Sequence, residues 1–379
     1  MTLDRILLFP YYLTLKWRHR LFDKGVRKVH KAEVPTVCVG NVTVGGTGKT
    51  PHVEMILRSL LAGDRWGAAN IAVLSRGYKR ESKGFQQVTR DGSATMFGDE
   101  PVQIKKKFPV VTVAVDADRV EGCDFLCHPD KLQKDSRRTR RCWDKDFPPA
   151  HFIVLDDAFQ YRALKADLDI VLIDFSRPVF KDRLLPLGRL RDLPERVSKA
   201  DVVIVTKCPQ ELDNWERTTW AEQLGLSDFR SSDCSGARPD GSRQTLLFTR
   251  IAYGQMEPVF DCSDQRYIYS KRIILFSGIA RDTQLRAYLG GSYKIVKRFS
   301  FPDHHKFGWS DFQRIQHAVK RWPTAAVVTT EKDAVRVLDC NGLPAQLKER
   351  MFQLPIRAEF LSENERAVFE ARLSNPSKR

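Results

Sequence analysis

Short apolar runs rich in valine and isoleucine punctuate the first half of the chain: 36–40 (TVCVG), 71–77 (IAVLSRG), 110–116 (VVTVAVD), 152–158 (FIVLDDA), 169–175 (DIVLIDF) and 201–207 (DVVIVTK). None alternates apolar with polar residues, so neither face of these strands suits water, and helices must cover both. The segments between them supply such helices, as in 52–61 (HVEMILRSLL), where apolar residues return every three or four positions. Strands and helices alternating in this way predict an α/β fold: a doubly wound, mostly parallel sheet with ligands at the C-terminal ends of its strands.

The pattern then changes. Residues 211–265 are polar, with Gly, Ser and Asp clusters around one apolar stretch, 244–253, and read as a linker containing one hinge strand. After it, 272–280 (RIILFSGIA), 293–301 (YKIVKRFSF), 325–333 (AAVVTTEKD) and 351–360 (MFQLPIRAEF) outline a second, smaller α/β domain. The expected organisation is an N-terminal segment over 1–31, a core domain over 32–210, the linker over 211–265 and the smaller domain over 266–379.

The first segment mixes Leu, Ile, Phe, Tyr and Trp17 with Lys16, Arg18, Arg20, Lys24, Arg27, Lys28 and Lys31. Its apolar run is too short to span a bilayer and no small-residue cleavage site follows. Two readings stand: a helix lying in the interface of an anionic membrane, or an amphipathic helix packed on its own domain. The net charge of +16 favours an anionic partner of some kind: nucleic acid, an acidic membrane surface or a phosphorylated substrate. The charge run 131–141 (KLQKDSRRTRR) lacks interleaved aromatics and reads as a surface insertion rather than a nucleic-acid arm. The eight cysteines are scattered and read as thiols of a reducing compartment.

Chemistry enters after the first strand. Thr43-Val44-Gly45-Gly46-Thr47-Gly48-Lys49-Thr50 is a glycine-rich turn running into a helix, with Thr43 where the strict phosphate-loop spelling has its first glycine. Backbone amides would converge on phosphate oxygens, Lys49 would reach the β- and γ-phosphates, and the Thr50 hydroxyl would complete a Mg²⁺ shell. The strand at 152–156 delivers two adjacent carboxylates, Asp156 and Asp157, which near such a loop hold Mg²⁺ directly or through water. These features make the core P-loop NTPase-like. Phosphoryl transfer also needs an aligned acceptor and a proton sink. Arg76 closes the second strand, Asp99 sits in a Gly-Asp-Glu-Pro turn, and Arg119 follows the third strand; each is open to a plain turn or cap reading. Thr206-Lys207-Cys208-Pro209 begins like a guanine reader but lacks the aspartate, which disfavours GTP and a P-loop switch or assembly NTPase.

In order along the chain, VGGTGKTP, LSRGYKR, GDEP, DRVEG, LDDAFQYR, DLDIVLID, LLPLGRLRD, FPDHHKF and TTEKDAVR resemble the tetraacyldisaccharide 4′-kinase family, the lipid A 4′-kinases of Gram-negative bacteria. The resemblance covers roughly residues 1–360. It implies transfer of the ATP γ-phosphoryl to the 4′-hydroxyl of a tetraacylated glucosamine disaccharide 1-phosphate, by a Mg²⁺-dependent enzyme peripheral to the cytoplasmic face of the inner membrane. It implies that Asp99 is the general base and His304 its support from the second domain, with His305 a rival by spacing. Arg76, Arg119, Gln160 and Arg191 are implied on the substrate or phosphate side, and Thr50, Asp156, Asp157 and Asp192 around the metal. The sequence departs where the family's usual Asp-Asp-Gly-Phe-Gln-His is Asp156-Asp157-Ala158-Phe159-Gln160-Tyr161, and where its Leu-Arg-Glu is Leu190-Arg191-Asp192. The oligomeric state is not encoded in these motifs.

Overall fold

The computed structural model describes residues 3–376 except 135 and 280, with side chains from residue 8 onward. The strands are β1 Thr36–Gly40, β2 Ile71–Ser75, β3 Gln86–Gln87, β4 Thr112–Val115, β5 Phe152–Asp156, β6 Leu168–Asp174, β7 Val202–Thr206, β8 Ser227–Arg230, β9 Ser235–Ala237, β10 Arg243–Tyr253, β11 Glu257–Pro258, β12 Arg272–Ser277, β13 Lys294–Ser300, β14 Ala326–Thr330, β15 Met351–Leu354 and β16 Ile356–Phe360. The helices are α1 Leu3–Asp23, α2 Lys49–Ala62, α3 Ala94–Phe97, α4 Asp99–Lys107, α5 Arg119–Cys127, α6 Asn214–Gln223, α7 Thr283–Ser292, α8 Trp309–Arg321, α9 Glu331–Leu338, α10 Ala345–Lys348 and α11 Glu363–Ser374.

Among the described residues the large sheet runs β3-β4-β2-β5-β1-β6-β7-β10-β9-β8, with β16 added to β10. The pairs from β4 to β10 are parallel and the flanking ones antiparallel. Every residue of β1, β2, β5 and β7 is buried, as runs apolar on both faces require. Two cores result. Cys38, Leu155, Val171 and Phe248 face one side; Val37, Val154, Ile170 and the α2 residues Val53, Ile56, Leu57 and Leu60 face the other. A smaller sheet, β11-β15-β14-β12-β13, has its own two cores.

Two expected boundaries shift. The segment 211–265 is not a linker around one hinge strand: α6 packs Trp220 and Ala221 into the first core, and β8, β9 and β10 extend the large sheet. Its polarity belongs to an antiparallel sheet edge, where one face meets water. The 351–360 run is two strands in two sheets, because Pro355 lacks an amide for either ladder and the chain crosses over there. Residues 356–374 thus return to the large sheet, where Phe369 and Leu373 pack with the α2 face. The second half of β10 and the returning β16 pair from Thr249–Phe360 to Tyr253–Ile356, so the two sheets are joined by two paired strands rather than by one.

Candidate active site

The phosphate loop leaves the C-terminal end of β1 at the middle of the large sheet. Asn41, fully buried, donates from Nδ2 to Thr47 Oγ1 at 2.9 Å, and the Thr206 hydroxyl donates to the Thr47 carbonyl at 2.9 Å. Lys207 Nζ donates to the Gly46 carbonyl and lies 2.7 Å from Asp174 Oδ2. The Val44 amide donates to the Arg189 carbonyl at 2.7 Å. Gly45 and Gly48 adopt φ of 101° and 86°, a region that favours glycine, and Gly48 caps α2 in this left-handed form. Gly45 and Gly46 stand exposed, open to a ligand, while Lys49 and Thr50 occupy the first turn of α2. His52 holds the turn from behind: Nδ1 lies 2.7 Å from the Gly48 carbonyl and Nε2 2.9 Å from Thr249 Oγ1, and burial pushes the imidazole down to about 4.

Asp156 and Asp157 close β5 beside this loop. Asp157 has φ of 50°, a non-glycine residue in the left-handed region that turns its carboxylate toward the lysine. Lys49 Nζ lies 3.8 Å from Asp157 Oδ1 and 3.5 Å from Asn41 Oδ1, and Arg191 bridges the same two residues, donating to Asp157 through both terminal nitrogens and to Asn41 Oδ1 at 2.6 Å. Burial raises Asp157, but Lys49 and Arg191 outweigh it and hold the carboxyl below its ordinary value. Asp156, buried and accepting from the Ser75 hydroxyl at 3.1 Å, is pushed the other way, to about 6, by burial and by Asp157. One crowded carboxylate beside a neutralised one is a donor pair that a hard cation could take together with waters and phosphate oxygens.

Asp99 lies not in a tight turn but at the first position of α4, after Gly98 at φ 98°, where a helix N-terminus favours a carboxylate. Its partners come from the smaller sheet. His304, in the loop after β13, places Nδ1 3.0 Å from Asp99 Oδ2; Arg336 of α9 donates to the same oxygen from Nε at 2.9 Å and from Nη2. Arg336 is anchored behind by Asp333 at 2.8 Å, and Lys332 spans His304 Nε2 at 3.3 Å and Glu100 at 2.9 Å. His305 turns away, 2.8 Å from Asp311 and stacked on Phe301, so His304 is the histidine brought to Asp99.

Other candidates fall elsewhere. Arg76 is exposed at the end of β2, and Gln160 donates to the Asn41 carbonyl at 3.5 Å. Arg119 is not a free phosphate contact: it is 2% exposed and spends Nη1 on the Asp116 and Ala117 carbonyls, at 2.6 and 3.2 Å. Asp192 is not at the acid pair: fully buried, it lies 2.6 Å from His19 Nε2 and accepts from the Leu193 amide at 2.8 Å. Sequence reading missed Asn41, Arg336 and Lys332. The i,i+3 spacing of Asp333 and Arg336 signals a helical ion pair, but nothing local says that Arg336 continues to Asp99.

The family model for tetraacyldisaccharide-1-P 4′-kinase matches residues 3–375. The chain belongs to that family. Within the tetraacyldisaccharide-1-P 4′-kinase family, the Parabacteroides distasonis tetraacyldisaccharide 4′-kinase is 38% identical over 370 residues, covering 96% of this chain and 91% of the relative. The Porphyromonas gingivalis protein of the same name is 38% identical over 382 residues, covering 96% and 93%. A crystal structure of "apo" form LpxK from Aquifex aeolicus in complex with ATP matches with a TM-score of 0.66 at 26% identity, covering 97% of this chain and 99% of that one. Tyr161, one of the expected departures from the family's pattern, donates its hydroxyl to Asp118 at 2.9 Å and packs against the Arg119 guanidinium.

Asp116, behind Arg119, gives a pH test of stability. It is 2% exposed and accepts from the Asp118 amide through Oδ1, while Oδ2 has no hydrogen-bond partner among the described residues; burial pushes it up from 3.8 to about 6. A carboxyl raised on folding contributes stability that is present below its unfolded value and lost as pH rises through about 6. Asp116→Asn is therefore expected to raise stability at pH 7.5 by about 1–2 kcal/mol, the unpaired amide donors offsetting part of the gain, and to add nothing near pH 4. Thermal melts at the two pH values check it.

Proposed function

We propose that the protein transfers the γ-phosphoryl group of ATP to the 4′-hydroxyl of a tetraacylated glucosamine disaccharide 1-phosphate, working at the cytoplasmic face of the inner membrane. The observation that carries this reading is Asp99, at the mouth of the phosphate-loop sheet, met by His304 and Arg336 from the other sheet. An acceptor entering between the sheets would meet a fixed carboxylate on one side and the phosphate grip on the other. Lys49 and the loop amides would hold the β- and γ-phosphates, and Asp99 would take the hydroxyl proton through Oδ1, since the contacts of His304 and Arg336 all fall on Oδ2. Thr50, Asp156 and Asp157 are the residues that would hold Mg²⁺, which when bound neutralises charge on the phosphates.

The membrane side of the reading rests on α1. Phe9, Leu13 and Trp17 form a stripe of exposed large apolar residues at helical spacing, with exposed Lys16 and Arg20 beside it, a face suited to an anionic interface. No described helix is long and apolar enough to cross a membrane. The test is incubation with γ-labelled ATP, Mg²⁺ and the tetraacyl disaccharide 1-phosphate in mixed micelles. Label is expected on the lipid; its absence with a folded, ATP-binding protein would sink the proposal.

A further inference from the structure

Helix α1 has a second face, directed at the loops that shape the phosphate site. Tyr11 donates its hydroxyl to the Arg191 carbonyl at 3.2 Å, Arg18 donates to the Gln160 carbonyl at 3.3 Å, and His19 meets Asp192 at 2.6 Å. The last contact is closed to water: His19 is 6% exposed and Asp192 0%. Arg162 completes it, with Nη1 donating to the His19 carbonyl at 2.9 Å and facing His19 Nδ1 at 3.3 Å, while Nη2 lies 2.7 Å from Asp23. With Nδ1 accepting from Arg162, the ring donates its Nε2 proton to Asp192. The Leu193 amide donates to the same carboxylate oxygen, so the side chain is fixed from two sides.

The residue next to Asp192 is Arg191, whose guanidinium ties Asp157 to Asn41 at the phosphate loop. The amides of both residues donate to the Val42 carbonyl, at 2.9 and 3.3 Å, in one tight bend. Fixing one side chain there fixes the backbone from which the other is thrown. Asp192 lies too deep for a ligand, yet it is one residue from the cation that neutralises Asp157.

We infer that His19, acting through Asp192, is a positioning residue for nucleotide binding: it seats the 189–192 loop on α1 and so holds Arg191 on Asp157 and Asn41. The inference deepens the proposed function and rests on its nucleotide half. The face of α1 assigned to the membrane and the face that orders the phosphate grip are then two sides of one helix.

The test reads binding of a fluorescent ATP analogue with Mg²⁺, which needs no acceptor lipid. His19→Ala is expected to weaken binding about tenfold, the size of a coupling between residues in contact. His19→Gln, which keeps a donor toward Asp192, should recover most of that loss. In an Arg191→Ala background His19→Ala should add almost nothing, because its effect passes through Arg191. Full additivity, or an unchanged dissociation constant in His19→Ala, would overturn the inference. If His19→Ala does not fold, Tyr11→Phe carries the same cycle, with an expected loss of about threefold for one hydrogen bond and the same non-additivity. A wild type that binds the analogue but labels no lipid would defeat the proposed acceptor and leave this inference standing.

Discussion

Asp99→Asn is expected to lower kcat by about two to four orders of magnitude, the range for losing a positioned general base, the role proposed for Asp99, with little change in KM for ATP. The split follows from geometry, since the hydrogen bonds of the Asp99 carboxylate go to His304 and Arg336 and none to the phosphate loop. Burial raises this carboxyl, but His304, Arg336 and Lys332 together outweigh it and hold it at about 2. It is therefore ionised at any working pH, and a rate that falls between pH 7 and 5 has to come from another group. A carboxylate held so low is a weak base toward a free alcohol. A loose phosphoryl-transfer transition state asks less of it, because the bond from the nucleophile is barely formed and its proton leaves late. In the proposed mechanism Asp99 would supply an oriented acceptor at Oδ1, which the asparagine amide cannot replace as a proton sink. Steady-state kinetics with the lipid acceptor, alongside ATP binding, check the split; a variant keeping more than about a tenth of the wild-type rate would remove Asp99 from the mechanism.

The sequence made the centre of the large sheet legible because its strands are buried on both faces, and a fully apolar run has few other places to go. The phosphate loop and the acid pair were legible for the same reason: each sits at the end of such a strand, where the chain must turn. What escaped depends on contacts between distant parts of the chain. Arg336 meets Asp99 across 237 residues and His19 meets Asp192 across 173, and no local periodicity encodes either pairing. Polar edge strands hid β8 and β9 in what reads as a linker. Pro355 was visible, but only the sheet pairing shows that the strand before it and the strand after it serve different sheets. Asp192 follows Arg191 in sequence, which suggests a shared site, yet the bend sends the two side chains to different partners.

Removing Lys107 is expected to cost the fold about 3 kcal/mol, the low end for breaking a buried charge cluster by deleting one partner. Lys107 ends α4, the helix that Asp99 begins, and its ammonium lies 2.7 Å from Glu54 of α2 and 2.6 Å from Glu331 of α9. Both carboxylates are almost fully buried. Glu54 would keep Arg58 at 3.0 Å and Gln103 at 2.9 Å, whereas Glu331 would keep, among the described residues, the Ile356 amide at 3.0 Å, so the penalty falls mainly on Glu331. Burial already raises the Glu331 carboxyl, with Lys107 opposing the shift. Lys107→Ala should raise it further. A carboxyl raised on folding loses its contribution as pH rises, so the deficit of the variant should be largest at neutral and alkaline pH and shrink on acidification toward the ordinary glutamate range. Thermal melts of Lys107→Ala across that range check the sign, and a deficit that grows on acidification would refute it. The same variant should lower kcat, because α4 meets α9 through Lys107 and Glu331 at one end and through Asp99 and Arg336 at the other. Loosening the first contact lets the second drift, and misplacing a catalytic group by about 1 Å is enough to slow transfer about a hundredfold.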